Sequence, residues 1–387
     1  MKILVVCGAG YVSGLEVVTL SLIKGLREVG HEVRCITTTW GDGDFVARLK
    51  AGHIPYKRLP IGFISKTLSW SAVLMTLDQL RKLPQLWIGY YRYTRDFKPD
   101  IIIHSNFQHI FLLWLMLNGR RDYFHVHNAF APTRFYRVLF KLLALRLKCF
   151  IGVSKYVADS LQKLGIRKNK ITFVHNGAEV IANSQARLIA RTEAASNKVT
   201  ENANSQTIRI GIVGQVGEWK GHCDLFEALC LLKSQCPRFV LLVFGTGNSG
   251  YIRLLKDSLH ECGLTERVHW EGYVKNTEEI FSSIDICVVP SRVQEGFGMV
   301  AIEAALYGVP VIATNRGGLS EVICDELTGF LVEAESPNQI AEKLHLLIKD
   351  QHLREKIGAA ARKHFFEYFT RDKMVEKMED IFQRELI

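Results

Sequence analysis

Long apolar runs, paired cysteines and acidic residues in the first half are all scarce in this 387-residue chain. The most apolar stretch, Ile110-Phe-Leu-Leu-Trp-Leu-Met-Leu117, is about half the roughly 20 residues a membrane-crossing helix needs, so none is expected. Met1-Lys-Ile-Leu-Val-Val-Cys7 runs straight into glycines and reads as a first strand, not a signal peptide. Nine cysteines, an odd number without a C-x-x-C pair, predict neither a disulfide framework nor a zinc site and fit a reducing cytosol. Residues 1–180 hold 26 Lys and Arg against 11 Asp and Glu, whereas the remainder holds 23 against 28. The basic residues are scattered and no nucleic-acid motif accompanies them, so nucleic acid is not expected as a partner.

What is present is ordinary globular material, 48% hydrophobic and 23% charged, in a chain long enough for two cores. Strand and helix signals alternate from the start: Lys2 to Cys7, a helix over Glu16 to Glu28, then Val33 to Thr38. Later come Asp100 to His104, Tyr123 to Val126, and Cys149 to Ser154 ahead of a helix over Lys155 to Leu164. Such alternation predicts a doubly wound parallel α/β sheet. Hydrophobic periodicity stops over 181–206, which reads as a linker. A second α/β series opens at Ile208-Arg-Ile-Gly-Ile-Val213 and ends in a charged helical tail. The expected organisation is a first Rossmann-like domain over 1–180 and a second over 207–365. In such a pair, ligands belong at the carboxyl ends of the strands, in the cleft between domains.

The most informative stretch runs from Ser291 to Pro310 and holds Glu295 and Glu303. Glu295 lies in a glycine-flanked loop. Glu303 falls in a helix expected from Met299 to Tyr307 and stopped by Gly308 and Pro310. Its neighbours from Met299 to Leu306 are otherwise Met, Val, Ala, Ile or Leu, and a carboxylate there is costly to bury without a partner. The Glu-Gly-Phe-Gly loop ahead offers helix-start N–H groups as a phosphate seat. About 7 Å further along the axis, at 1.5 Å per residue, Glu303 can accept ribose hydroxyls. A buried helix acid held by a neighbouring cation would look the same.

Taken together, these features resemble a retaining glycosyltransferase of family 4, with the two-Rossmann-domain GT-B fold. The resemblance spans nearly the whole chain and is densest from Gly211 to Val332. It implies that Glu295 contacts donor-sugar hydroxyls, Glu303 the ribose, and the amides of Gly298, Met299 and Val300 the diphosphate. It also implies a cation loop at Val213-Gly-Gln-Val-Gly-Glu-Trp-Lys-Gly-His222, with Lys220 facing the leaving group. The family's usual arginine is replaced there by Gln215, which leaves three options: Gln215 as a neutral donor, compensation by Arg292 or another cation, or a looser phosphate. In the first domain it implies a contact at Gly14, in Gly8-Ala-Gly-Tyr-Val-Ser-Gly14, and a histidine near the donor sugar. His127 of Phe124-His-Val-His-Asn128 matches best, with His125 as its rival. The helix over 366–387 is expected to pack back on the first domain.

Asp42-Gly-Asp44 has the spacing of a metal-binding acid pair but sits in a glycine-rich turn, so no metal is expected. The turns Gly245-Thr-Gly247 and Gly317-Gly318 either border the nucleotide or are the glycine turns common at strand ends. Thr133 to Lys148 interleaves cations with aromatics and leucines, as a helix lying on an anionic membrane does, or one covering the sheet while its cations reach outward. The implied function is metal-independent, retaining transfer of a sugar from a UDP- or GDP-linked donor, with no cofactor. The acceptor would be a saccharide or lipid-linked saccharide in cell-surface polysaccharide synthesis, at the cytoplasmic face of a membrane. A nucleotide-sugar epimerase and a non-catalytic binding protein remain open.

Overall fold

The computed structural model describes residues 1–8, 12–41, 43–62, 70–180, 207–236 and 238–384. The expected linker lies outside them, as do Ala9, Gly10 and Tyr11 of the glycine loop and Asp42 of the acid pair. The chain divides into two compact units, Met1–Gly177 with Arg371–Ile387, and Ala178–Thr370.

The first unit runs β1 (Lys2–Val6), α1 (Gly14–Glu28), β2 (Glu32–Thr38), α2 (Asp44–Ala51), β3 (Tyr56–Leu59), α3 (Trp70–Arg81), α4 (Leu83–Phe97) and β4 (Ile101–His104). It continues with α5 (Phe107–Leu113), β5 (Asp122–Val126), α6 (Arg134–Arg146), β6 (Cys149–Gly152), α7 (Lys155–Lys163) and β7 (Ile171–Phe173). The seven strands are parallel, in the order β3-β2-β1-β4-β5-β6-β7. Parallel strands are covered on both faces, which is why Ile3, Leu4, Val5 and Val6 are adjacent, all apolar and all fully buried. The start of α1 is fixed by Glu16, whose carboxylate accepts from the Ser13 amide at 2.9 Å and its hydroxyl at 2.5 Å. Right-handed crossovers place α1 and α2 on one face and α3 to α7 on the other.

Thr133 to Lys148 holds α6, which covers the sheet with two side chains and leaves other apolar ones exposed. Phe140 and Leu143 of α6 are buried, while Phe135, Val138, Leu142 and Leu145 are exposed beside its cations.

The second unit contains β8 (Ile208–Val213), α8 (His222–Leu232), β9 (Phe239–Phe244), α9 (Ser249–Glu261), β10 (Val268–Gly272), α10 (Thr277–Ser282) and β11 (Ile286–Val289). Then follow α11 (Met299–Leu306), β12 (Val311–Thr314), α12 (Leu319–Val322), β13 (Gly329–Val332), α13 (Pro337–Lys349) and α14 (Gln351–Tyr368). Its six parallel strands are ordered β10-β9-β8-β11-β12-β13. Ile210, Leu241, Val288 and Ile312 of the sheet share one core with Leu225 and Leu229 of α8 and Ile340 and Leu344 of α13. The last helix, α15 (Arg371–Arg384), belongs to the first unit and packs on α1. A Cβ on Gly25 of α1 would lie 2.5 Å from Val375, so the two helices approach at a glycine. His31 Nε2 meets Glu379 Oε1 at 2.8 Å beside that contact.

The cysteine expectation is corrected: Cys230 and Cys262 form a disulfide, with their Cα atoms 5.9 Å apart. Cys230 is near the end of α8 and Cys262 directly follows α9, so the pairing arises from helix packing and has no short sequence spacing. The other seven cysteines form no disulfide.

Candidate functional site

In a sheet ordered β10-β9-β8-β11-β12-β13, the chain winds outward from β8 in one direction and from β11 in the other. The β8/β11 boundary is therefore a topological switch point, where the following loops diverge and leave a crevice at the carboxyl ends. The loop after β8 supplies Gln215 and Lys220, and the loop after β11 supplies Ser291 and Glu295.

Lys220 ends a short 3-10 turn, Glu218–Lys220, and Gly221 follows in the left-handed region at φ 69°. A Cβ on Gly221 would sit 1.9 Å from the carbonyl oxygen of Pro290, so only glycine lets this loop close on the end of β11. The Lys220 Nζ then donates to Glu295 Oε1 at 2.6 Å, and the buried Ser291 hydroxyl donates to the same oxygen at 2.5 Å. Thr314 at the end of β12 donates to the Ser291 carbonyl at 2.7 Å, tying three neighbouring strand ends together.

Both glycine turns brace this site. Gly318 donates its amide to the Glu295 carbonyl at 2.8 Å, and a Cβ on Gly317 would lie 2.1 Å from that same oxygen. Gly245 lies against the Gly214 carbonyl and Gly247 against that of Val216, where a Cβ would come within 1.8 and 2.0 Å. These turns shape the loop that carries the exposed Gln215.

The helix expected from Met299 to Tyr307 is α11, with Gly298 as N-cap at φ 112° and Tyr307 as C-cap. Among the described residues, the amides of Gly298, Met299 and Val300 donate to no acceptor. Glu303 is half-buried and its carboxylate has no hydrogen-bonding partner among the described residues. Burial pushes its pKa up to about 7.

Arg292, a candidate replacement for the missing arginine, is engaged elsewhere. Its Nε and Nη2 bind the buried Asp224 carboxylate at 2.8 and 2.6 Å. Sequence reasoning passed over Ser291, whose signal was a serine at a strand end four residues before the acid. It also passed over Arg316, which donates to the Arg292 carbonyl at 3.0 Å, directly before Gly317.

In the first unit, Gly14 opens α1 after β1, and His127 is the first residue past β5, so both are at the carboxyl end of that sheet. A Cβ on Gly14 would meet none of the described residues within 4 Å. The His125 and His127 rings are 4.4 Å apart. Burial lowers the His125 pKa to about 4; burial and then the neighbouring His125 hold His127 well below the usual range. Both imidazoles are therefore neutral near pH 7, able to donate or accept a hydrogen bond but not to act as fixed cations.

Two family models match, one to each half: Glycosyltransferase Family 4 over residues 12–180, and Glycosyl transferases group 1 over residues 194–364. An uncharacterized 41.2 kDa protein in the cps region of Klebsiella pneumoniae is 33% identical over 217 residues, covering 55% of this chain and 54% of that one. The capsular polysaccharide biosynthesis glycosyltransferase CapM of Staphylococcus aureus is 28% identical over 259 residues, covering 64% and 65%. The chain thus spans about half to two thirds of the length of these curated relatives. In fold it is similar to the crystal structure of Anabaena Alr3699/HepE in complex with UDP and glucose, with a TM-score of 0.77 over 99% of both chains at 19% identity.

Proposed function

We propose that this chain, which belongs to the GT-B glycosyltransferases through a Family 4 first half and a group 1 second half, is a retaining enzyme using a nucleoside-diphosphate sugar. The observation that carries the reading is the Lys220–Glu295–Ser291 cluster at the β8/β11 switch point, next to the free amides that open α11. With no donor bound, the ammonium and carboxylate neutralise each other. A diphosphate seated on the amides of Gly298, Met299 and Val300 draws Lys220 to itself and frees Glu295 to accept sugar hydroxyls. Glu303, without a partner of its own, accepts from the ribose. Gln215 serves as a neutral phosphate donor, and no step requires a metal ion.

The sequence offers no nucleophile for a double displacement, so the acceptor attacks from the leaving-group face. The bond from the anomeric carbon to the phosphate oxygen breaks and the acceptor oxygen bonds to that carbon. The acceptor proton passes to the departing diphosphate. Lys220 and the amides stabilise the developing charge, which is the main catalytic contribution. Gly14 leaves backbone open to the ligand, and His127, as a neutral imidazole, contacts the donor sugar.

The donor is UDP- or GDP-linked; the UDP in the HepE structure favours the first. The acceptor is a saccharide or lipid-linked saccharide of a surface polysaccharide, supported by the capsular role named for CapM. The exposed apolar side chains of α6, alternating with Arg134, Arg137 and Lys141, support peripheral binding at the cytoplasmic face of an anionic membrane. The test is a panel of UDP- and GDP-sugars with membrane extract as acceptor, with the anomeric configuration of the product read by NMR. An inverted product, or donor turnover without transfer, overturns the reading.

A further inference from the structure

We propose that the first unit carries a second anion site, one for a phosphate group, at the end of its sheet opposite Gly14 and His127. A cavity of about 410 Å³ there is lined by Tyr90, Tyr91, Arg95 and Lys98 from α4 and its C-cap, and by Met116 and Arg121. Lys98 lies just ahead of β4 and Arg121 directly precedes β5, so the cavity opens at the amino ends of the strands. Strands of four to five residues separate it from the carboxyl ends by roughly 15 Å at 3.3 Å per residue.

Thr94 also lines this cavity and donates to the Tyr90 carbonyl at 2.9 Å, but other polar groups of the lining hold donors that lack acceptors. The Tyr90 side chain is 2% exposed, and its hydroxyl has no hydrogen-bond partner. The Arg121 Nη1 donates to the Pro99 carbonyl at 3.2 Å, which leaves its buried Nε without an acceptor. Arg95 and Lys98 form no ion pair with any described residue. Asp122 meets His104 Nε2 at 2.9 Å and accepts from the Asn118 amide at 3.1 Å, Asp100 accepts from the Lys2 amide at 2.7 Å, and Asp96 of α4 is exposed and outside the lining. Buried donors without acceptors, as on Tyr90 and Arg121, are rare in folded proteins, and together with the exposed cations Arg95 and Lys98 they suit a ligand that only accepts and carries more than one negative charge.

Lys98 supplies an independent sign. Cations at the end of a helix can simply complement its dipole. Lys98, however, is in the left-handed region at φ 52° and ψ 61°, a C-cap position where glycine or asparagine is favoured. A lysine there gives up backbone comfort for a charge at the mouth of the cavity. The exposed face of Tyr91, with Met116, forms a less polar wall, which fits a phosphate ester better than free phosphate. The ester is either a soluble sugar phosphate or a lipid headgroup, since Ile88, about one turn before Tyr91 on α4, is an exposed apolar side chain.

Calorimetric titration of the full chain with inorganic phosphate and with glucose 1-phosphate tests the site, alongside sedimentation with phosphatidylcholine vesicles with and without phosphatidylglycerol. Lys98→Asn keeps a residue suited to left-handed backbone while removing the charge, and Arg95→Gln removes a second cation. Each is expected to weaken binding about tenfold, in line with the loss of one charge-assisted hydrogen bond, and Lys98→Asn is expected to unfold no more easily than the parent. Loss on the soluble probes assigns a soluble phosphate; loss confined to phosphatidylglycerol vesicles assigns a lipid headgroup. If both variants match the parent on every probe, or the parent binds none, the site does not exist.

Discussion

Replacing Glu303 with Gln removes a carboxyl group that the fold holds in a poorly solvated place, and the consequence depends on pH. The folded carboxyl titrates near 7 against an ordinary value of 4.5, with burial as the cause. Well below 4.5 both the folded and unfolded states are protonated and the group costs nothing. Between the two values the folded chain keeps a proton that the unfolded chain has lost, so stability falls as pH rises. Above 7 both states are ionised and the full penalty persists. From these two values the penalty is about 0.8 kcal/mol at pH 5 and about 3.4 kcal/mol at pH 8.5. Because the side chain retains some solvent contact, the observable difference between the two pH values is taken as about 1–2.5 kcal/mol. Glu303→Gln is nearly isosteric and cannot ionise, so its stability relative to wild type should rise by that amount from pH 5 to pH 8.5. Urea unfolding of both proteins at both pH values, read on the transition of the second unit, measures it. A stability difference independent of pH would refute the reasoning, because it would mean that Glu303 is solvated or paired in solution.

Glu295→Ala should abolish transfer while leaving affinity for the nucleoside diphosphate nearly intact, whereas Glu303→Ala should weaken the nucleotide itself; equal loss of nucleotide affinity in calorimetry would dissolve this division. Lys220→Ala should slow transfer on the order of 10²–10³-fold, the usual effect of losing one preorganised stabiliser. Gln215→Arg should bind the diphosphate more tightly, because the fork of Arg292 is committed to Asp224; if Arg292→Ala is as damaging as Lys220→Ala, Arg292 supplies the second cation instead. Turnover should survive EDTA, and loss restored by magnesium or manganese would show that a metal takes part. Peptide mapping without reductant should recover the segments of Cys230 and Cys262 joined, and two unlinked thiols there would contradict the pairing.

The sequence by itself determined the two parallel α/β units, because strands covered on both faces must be apolar throughout and their helices need one apolar stripe. It also singled out Glu303 as a candidate, since a lone carboxylate among Met, Val, Ala, Ile and Leu is conspicuous in any α/β chain. The edge strands β3 and β7 were not legible, being only four and three residues long and partly solvent-exposed. Which residues meet was a matter for tertiary structure. Lys220 and Glu295 are 75 positions apart and touch only because β8 and β11 are neighbours in the sheet. The engagement of Arg292 with Asp224, and the bracing of the loops after β8 and β11 by a glycine turn from the next strand, are likewise contacts across strands. The Cys230–Cys262 bond belongs with them, since helix packing and no local spacing brings the two sulfurs together. Local pattern records what each residue must be buried against, but the partner in space is chosen by strand order, which the chain specifies only once it has folded.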